Sequence, residues 1–207
     1  FAYMATNKLH IALVGNPNRG KASLFNNLPG LNQKVGNFPG VTVDKKTGEC
    51  RISESLTAEI IDLPGSYSLY PRRADEWVSY KVLMNQDRDV KPELVIVVAD
   101  ASTLKRNLLF VSQVIDLKVP VVLALTMMDV ARKKDIIVNI RSLERELGIP
   151  VVPVNPRKNK GIAQLKKAVD DTANKFYRPP AFDFISNKAL APDAVTEVKE
   201  LLPHLSD

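Results

Sequence analysis

The chain has 207 residues, of which 45% are hydrophobic and 25% charged, with a formal net charge of +6 at pH 7. This length suits one α/β domain with a small appendage, and the composition excludes a disordered chain. The longest apolar runs are far shorter than the roughly 20 residues that a membrane-spanning helix needs. The single cysteine, Cys50, excludes an internal disulfide framework. The basic residues are scattered and lack interleaved aromatic residues, so we expect no nucleic-acid partner.

Short runs rich in Val and Ile alternate with amphipathic stretches, which is typical of βαβ units and a mostly parallel sheet. This pattern predicts six strands, at Leu9–Val14, Gly48–Ile52, Ala58–Asp62, Leu94–Asp100, Val119–Thr126 and Pro150–Val154. Apolar residues at helical spacing predict five helices, at Lys21–Leu28, Ala74–Met84, Thr103–Leu117, Ile140–Leu147 and Ile162–Phe176. Residues 29–46 contain glycines and prolines without a sustained period, so we expect a long functional loop there.

The chain is predicted to contain one main domain and the beginning of another. A proline break after Phe176 is followed by a helix-start signal at Pro192 and Asp193 and by apolar residues at helical spacing. We therefore predict a main domain over residues 4–176 and a truncated helical subdomain over residues 177–207. The three residues before Met4 resemble a cloning remnant and are left out of the fold prediction.

The stretch GNPNRGK, Gly15–Lys21, matches the glycine and lysine positions of a phosphate-binding loop. It lies between a predicted buried strand and a predicted helix, where backbone N–H groups and the helix N-terminus attract phosphate and Lys21 neutralises it. The candidate nucleotide-binding residues here are Gly15, Asn16, Pro17, Asn18, Arg19, Gly20, Lys21, Ala22 and Ser23.

Three further features follow this loop in the order that a GTP-hydrolysing protein requires. Thr42 lies in the predicted long loop, where a switch threonine would sense the γ-phosphate and Mg²⁺. The stretch DLPG ends a predicted strand, where the carboxylate of Asp62 would hold Mg²⁺ through water and the N–H of Gly65 would meet the γ-phosphate. Asp129 follows another strand, and its carboxylate can accept two hydrogen bonds from guanine that adenine cannot donate. Asp100 also ends a predicted strand, but we expect it to cap the next helix.

Four strings, GNPN, VGNFPGVTVDKKTG, DLPGSYSLYP and DASTLKRNL, resemble the N-terminal G domain of the bacterial ferrous iron transport protein B (FeoB) family. The resemblance covers roughly Lys8–Phe176. It implies the Ras-like P-loop GTPase fold, with a mostly parallel six-stranded sheet flanked by helices, followed by the start of the family's GDI-like helical domain. The implied cofactors are GTP or GDP, Mg²⁺ and K⁺.

The resemblance also implies a setting for the domain. It predicts a cytoplasmic domain of an inner-membrane protein, whose slow, K⁺-stimulated GTP hydrolysis regulates ferrous iron uptake through an attached membrane domain. The implied partners are guanine nucleotide, the transporter's own helical and membrane domains and small accessory proteins of the iron uptake system. A homo-oligomer formed through the full-length protein is left open.

Family roles can be transferred to the residues that match the motifs. Asn18 stands in the place of an asparagine that helps to bind K⁺ beside the phosphates. The implied metal ligands are Thr42, Asp62 and Asn18, and the implied catalytic residues are Asn18, Lys21, Thr42 and Gly65. The implied base-binding residues are Thr126, Met127, Asp129, Asn155, Pro156 and Arg157.

The sequence departs from the family's pattern at three of these positions. Ala22 replaces a hydroxyl residue that binds Mg²⁺ directly, and Ser23 is rotated by about 100° around the helix, so it cannot take over. Thr126 replaces an asparagine whose hydrogen bonds tie the base loop to the phosphate loop. Pro156 has no N–H to offer the guanine oxygen. Three interpretations follow: a weakened but working GTPase, a pseudo-GTPase that binds guanine nucleotide without useful turnover, or a chain that binds no nucleotide. An ATP-using relative is disfavoured by Asp129, although Thr126 and Pro156 favour it slightly.

Overall fold

The computed structural model describes residues 8–17, 19–38, 40–66, 69–84 and 91–177. Asn18 and the predicted helical subdomain, apart from Tyr177, lie outside these residues. In the described part of the chain, no helix is both long enough and apolar enough to cross a bilayer.

Seven strands of the described chain form one mixed sheet in the order β2-β3-β4-β1-β5-β6-β7. Their bounds are β1 Lys8–Gly15, β2 Asn32–Asn37, β3 Asp44–Ser53, β4 Leu56–Asp62, β5 Leu94–Asp100, β6 Val121–Thr126 and β7 Val151–Pro153. The five strands from β4 to β7 along the sheet are parallel. The strands β2 and β3 are antiparallel to each other, and β3 is antiparallel to β4.

Six α-helices are present among the same residues and cover both faces of the sheet. Their bounds are α1 Arg19–Asn26, α2 Ala74–Leu83, α3 Leu104–Asp116, α4 Met128–Lys133, α5 Ile140–Leu147 and α6 Ile162–Tyr177. Two short 3₁₀ helices, Ala101–Thr103 and Pro156–Lys158, precede α3 and α6.

The core consists of two apolar clusters, one on each face of the sheet. Side chains alternate along β1, so Ala12 and Val14 pack with α2, α3 and α5, whereas Ile11 and Leu13 pack with α1 and α6. All four are almost completely buried. Burial on both faces explains why the central strands read as continuous apolar runs, as in other parallel sheets.

The structure corrects the predicted strand count and part of the predicted loop. The sheet has seven strands instead of six, because residues 32–37 form β2, which pairs with β3 within the stretch predicted as loop. Every residue of β2 is exposed, so the strand has no buried face that would impose an alternating pattern. The strand β3 is also longer than predicted, and α4, only six residues long, was missed.

Parallel strands bring the predicted motifs to one edge of the sheet. The carboxyl ends of β1, β4, β5 and β6 lie side by side at Gly15, Asp62, Asp100 and Thr126. Open α/β sheets bind ligands in the crevice outside these strand ends.

Candidate nucleotide-binding site

The phosphate-binding loop starts where β1 passes through a tightly packed position. A Cβ atom on Gly15 would lie 2.5 Å from the carbonyl oxygen of Val98 on β5, so only glycine fits without a shift. The loop leads into α1, which begins at Arg19 and contains the buried residue Gly20. The predicted order of strand, glycine loop and helix is therefore confirmed.

Lys21 is buried, and its ammonium group lies against the second candidate motif. Its Nζ donates to Oδ1 of Asp62, and it also donates to the carbonyl oxygen of Leu63 at 2.6 Å. The Lys21 and Asp62 side chains are only 9% and 14% exposed, so the ion pair is largely shielded from water. The phosphate-loop lysine and the carboxylate predicted for Mg²⁺ are thus in direct contact.

The DLPG turn packs closely on the phosphate-binding loop. The Ser66 N–H donates to the carbonyl oxygen of Gly15 at 2.9 Å. A Cβ atom on Gly65 would lie 2.7 Å from Cα of Pro17, so the glycine permits this close approach. Ser79 on α2 donates its hydroxyl to the carbonyl oxygen of Pro64 at 2.8 Å, and this contact fixes the turn from the other side.

The side chains around the predicted Mg²⁺ position differ in exposure. Thr42 is exposed between β2 and β3, and Ala22 is exposed in the first turn of α1. The Ser23 hydroxyl lies 3.4 Å from Nδ2 of Asn27, toward the end of the helix. This placement agrees with the expectation that Ser23 does not replace the hydroxyl that Ala22 lacks.

The donor set is compatible with Mg²⁺, which prefers oxygen ligands and retains several waters. Asp62 offers a carboxylate at the end of β4, and the exposed Thr42 hydroxyl lies in the segment between β2 and β3. Bound Mg²⁺ would supply charge that neutralises the terminal phosphates. Without a hydroxyl at position 22, one more ligand of such an ion would have to be water.

Three of the residues predicted to recognise the base lie at the end of β6 and the beginning of α4. Thr126 is 2% exposed, and its hydroxyl donates to the carbonyl oxygen of Ala99 on β5 at 3.1 Å. Met127 has a left-handed backbone with φ of 60°, and Asp129 is exposed in the first turn of α4. The Thr126 hydroxyl is thus used within the sheet, whereas the Asp129 carboxylate is accessible to a ligand.

The last candidate segment is a compact turn after β7. The backbones of Asn155 and Lys160 bond in both directions, at 2.8 and 3.0 Å, and enclose the 3₁₀ helix that begins at Pro156. This 3₁₀ helix packs against α1, with Pro156 buried and Arg157 exposed. The segment therefore lies beside the helix that carries the phosphate-binding loop.

Several residues that hold the site together were not predicted from the sequence. Asn107 on α3 is 3% exposed and accepts a 2.9 Å hydrogen bond from Nδ2 of Asn16. Gln113 on the same helix accepts one from the N–H of Leu69 at 2.8 Å. The signal for Asn107 was its place in the apolar i, i+4, i+7 series with Val111 and Val114, where a polar residue needs a buried partner. Asp100 was predicted as a cap, and its carboxylate accepts from the N–H of Ser102 at 2.8 Å.

This fold and this site define a P-loop GTPase domain. The family model described as "Ferrous iron transport protein B" matches residues 9–169. The chain belongs to this family, in the part that forms its N-terminal domain.

Relatives with known sequences agree with this assignment. The chain is 46% identical to the Fe(2+) transporter FeoB of Leptospira biflexa over 157 residues, which is 76% of this chain and 22% of the relative. It is 41% identical to the Fe(2+) transporter FeoB of Shigella flexneri over 167 residues, 79% of this chain and 21% of the relative. The chain thus spans about a fifth of the length of these relatives.

Solved structures confirm the fold. The G domain of the FeoB iron transporter of T. maritima has a TM-score of 0.73 and 37% identity, covering 81% of this chain and 99% of that one. A mutant of S. thermophilus NFeoB bound to GDP has a TM-score of 0.72 and 30% identity, covering 95% of this chain and 89% of that one. These comparisons lend no support to the pseudo-GTPase alternative.

Proposed function

We propose that this domain binds GTP and hydrolyses it to GDP and phosphate, and that it does so as the cytoplasmic regulatory domain of a ferrous iron transporter in the inner membrane. One observation carries the proposal: the buried contact of Lys21 with Asp62 and Leu63, at the carboxyl end of a parallel sheet. Hydrolysis of a nucleoside triphosphate requires a positive charge for the phosphates and a carboxylate for the metal at one place.

Guanine specificity is assigned to Asp129 and the two loops beside it. The exposed carboxylate of Asp129 accepts from the guanine N1–H and amino group. Thr126, Met127, Asn155, Pro156 and Arg157 shape the remainder of the base pocket. Because Thr126 bonds within the sheet and Pro156 lacks an N–H, we expect weaker binding than in a site with the full set of donors.

The phosphates are bound by the loop from Gly15 to Ser23, with Lys21 as the charged group. To reach a phosphate, Lys21 has to exchange Asp62 for it, and this exchange frees the Asp62 carboxylate for the metal. Asp62 and Thr42 would hold Mg²⁺, and water would supply the ligand that the side chain of Ala22 cannot. The Gly65 N–H meets the γ-phosphate from the turn that already packs on Pro17.

The proposal includes slow turnover that K⁺ stimulates. Ser66 follows Gly65, so the chain has no glutamine there to orient the attacking water, as some GTPases do. A monovalent cation held by the side chain of Asn18 would stabilise the charge that develops on the phosphates. This step rests on the sequence, because Asn18 lies outside the described residues.

Hydrolysis would release the segment around Thr42 and the turn at Asp62–Gly65, and this change is the signal that the domain sends. We assign its transmission to the transporter's helical and membrane domains, with residues 177–207 as the start of the former. Small accessory proteins and a homo-oligomer of the full-length protein are further partners within this proposal.

The test is phosphate release from GTP with Mg²⁺, in KCl and in NaCl. We expect slow turnover that is faster in KCl. The Asp129→Asn variant should lose guanine affinity by at least about thirtyfold, since two hydrogen bonds to a charged acceptor are weakened. Asp171→Asn, the same change at an exposed position on α6, is the matched control and should behave as the parent. Tight GDP binding without phosphate release would overturn the enzymatic part of the proposal.

A further inference from the structure

The helix α3 contacts both loops of the proposed nucleotide site through side chains that the proposed reaction does not use. Near its start, Asn107 accepts a hydrogen bond from Asn16 in the phosphate-binding loop. Six residues further along, Gln113 accepts one from the backbone of Leu69, just beyond the DLPG turn. A single rigid element therefore holds both loops.

The orientation of the Asn107 carboxamide is fixed from within its own helix. Its Nδ2 donates to the carbonyl oxygen of Thr103 at 2.6 Å and to the Thr103 hydroxyl at 3.0 Å. Both Thr103 oxygens accept hydrogen bonds, so the NH₂ group of the Asn107 carboxamide faces Thr103. Its Oδ1 therefore faces the phosphate-binding loop. The side chain is 3% exposed, so water does not compete for this oxygen.

Asn16 is positioned by this contact. It is 5% exposed and directly follows Gly15, which packs so closely on β5 that an added Cβ atom would lie 2.5 Å from the carbonyl oxygen of Val98. Its Nδ2 donates to Asn107, while its Oδ1 has no hydrogen-bond partner among the residues that the structure describes. The contact with Asn107 is thus the side-chain hydrogen bond that anchors Asn16, and a buried amide that loses it is left with unsatisfied groups at both ends.

We propose that Asn107 is a positioning residue for the phosphate-binding loop. By holding Asn16, it keeps the loop's backbone N–H groups aimed at the phosphates before the nucleotide arrives, which lowers the cost of ordering the loop on binding. Gln113 holds the segment after Gly65 on the same helix, so the two loops share one support. This inference rests on the proposed function, since it concerns the affinity of that same site.

The experiment measures GDP dissociation by displacement of a fluorescent GDP analogue, together with kcat and KM for GTP. Asn107→Ala should release GDP about tenfold faster and raise KM more than it lowers kcat, because Asn107 acts on the loop through its hydrogen bond with Asn16. Asn16→Ala should have the same effect. The double variant should release GDP no faster than either single variant, since both substitutions remove the same hydrogen bond.

Two further variants separate positioning from general damage to α3. Ser112→Ala is the matched control, because Ser112 is a buried polar residue on the same helix whose hydroxyl donates to the Leu109 carbonyl within that helix, at 2.7 Å. It should leave GDP release unchanged. Thr103→Val replaces the hydroxyl with a methyl group of similar size and so removes one of the two acceptors that orient Asn107; we expect GDP release about threefold faster than in the parent. It decides the question if Asn107→Ala does not fold.

The inference is overturned if Asn107→Ala and Thr103→Val release GDP within twofold of the parent, or if Ser112→Ala accelerates release as much as Asn107→Ala does. A parent protein that binds no GDP would instead refute the proposed function, and the inference with it. The displacement experiment shows both whether the parent binds GDP and how fast each variant releases it, so the two failures are distinguishable.

Discussion

The ion pair between Lys21 and Asp62 predicts that one substitution in the proposed Mg²⁺ site increases nucleotide affinity. Removing the negative charge of Asp62 should strengthen nucleotide binding when Mg²⁺ is absent. In the structure, the Lys21 ammonium donates to the Asp62 carboxylate and to the Leu63 carbonyl oxygen. Nucleotide therefore competes with Asp62 for this lysine. Asp62→Asn keeps an oxygen acceptor of the same shape but removes its charge.

The size of the effect follows from the charge that the contact loses. The amide oxygen of the Asp62→Asn variant still accepts from the charged Lys21 ammonium, so the substitution removes only the attraction between opposite charges, and we expect this to weaken the competing contact by about 1–1.5 kcal/mol. This difference corresponds to GDP binding about five- to tenfold tighter in EDTA. The low exposure of both side chains keeps the pair from being screened by solvent as a surface pair is.

The assay is calorimetric titration of GDP into parent and variant, first in EDTA and then with Mg²⁺ in excess. With Mg²⁺, the order should reverse, because the parent alone retains the carboxylate that holds the metal. Asp100→Asn is the matched control, because its carboxylate lies at the end of a nearby strand and caps Ser102; it should bind GDP as the parent does in both conditions. Weaker binding of GDP by Asp62→Asn in EDTA would refute the reasoning, since it would show that Asp62 does not compete for Lys21.

Three further predictions concern the loops and the core. Gly65→Ala would place its Cβ atom 2.7 Å from the Pro17 backbone, so the turn must shift; a misplacement of about 1 Å can reduce GTP turnover by about a hundredfold. Gly36→Ala meets no atom within 4 Å and should be neutral in the same phosphate-release assay, and equal rates for the two variants would contradict this. Ala22→Thr restores a hydroxyl at an exposed position and should tighten GDP binding about tenfold with Mg²⁺ but not in EDTA, as measured by calorimetry. Burial raises the pKa of the Cys50 thiol, so its alkylation by iodoacetamide at pH 8 should be at least about a hundredfold slower than in the unfolded chain, as followed by mass spectrometry. Equal rates would show that β3 opens readily.

The part of the fold that could be predicted from the sequence is the part where burial imposes a pattern. The central strands β1, β5 and β6 were recognised because both of their faces are buried, which requires continuous apolar runs. The edge strand β2 has no buried face, and the pairing that forms it is made by the backbone, so no side-chain period marks it. The short helix α4 has too few residues to show a period.

The candidate site also has a part that could be predicted from the sequence and a part that could not. Gly15, Lys21 and Asp62 belong to motifs with fixed spacing, and parallel pairing of β1 with β4 brings them together. The hydrogen bond between Asn16 and Asn107 could not be predicted, because the two residues are 91 positions apart in the chain and neither of the strings that contain them indicates that they pair. The hydrogen-bond partner of the Thr126 hydroxyl could not be predicted either, since it depends on the register of β6 against β5.

The central claim is that this chain forms a working guanine-nucleotide site despite Ala22, Thr126 and Pro156. The most direct test is calorimetric titration of GDP, a non-hydrolysable GTP analogue and ATP into the protein, with Mg²⁺ and K⁺ present. We expect both guanine nucleotides to bind with micromolar affinity and ATP to bind far more weakly, because Asp129 accepts two hydrogen bonds that adenine cannot donate. Equal affinity for ATP and GDP, or no binding of any of the three, would contradict the claim.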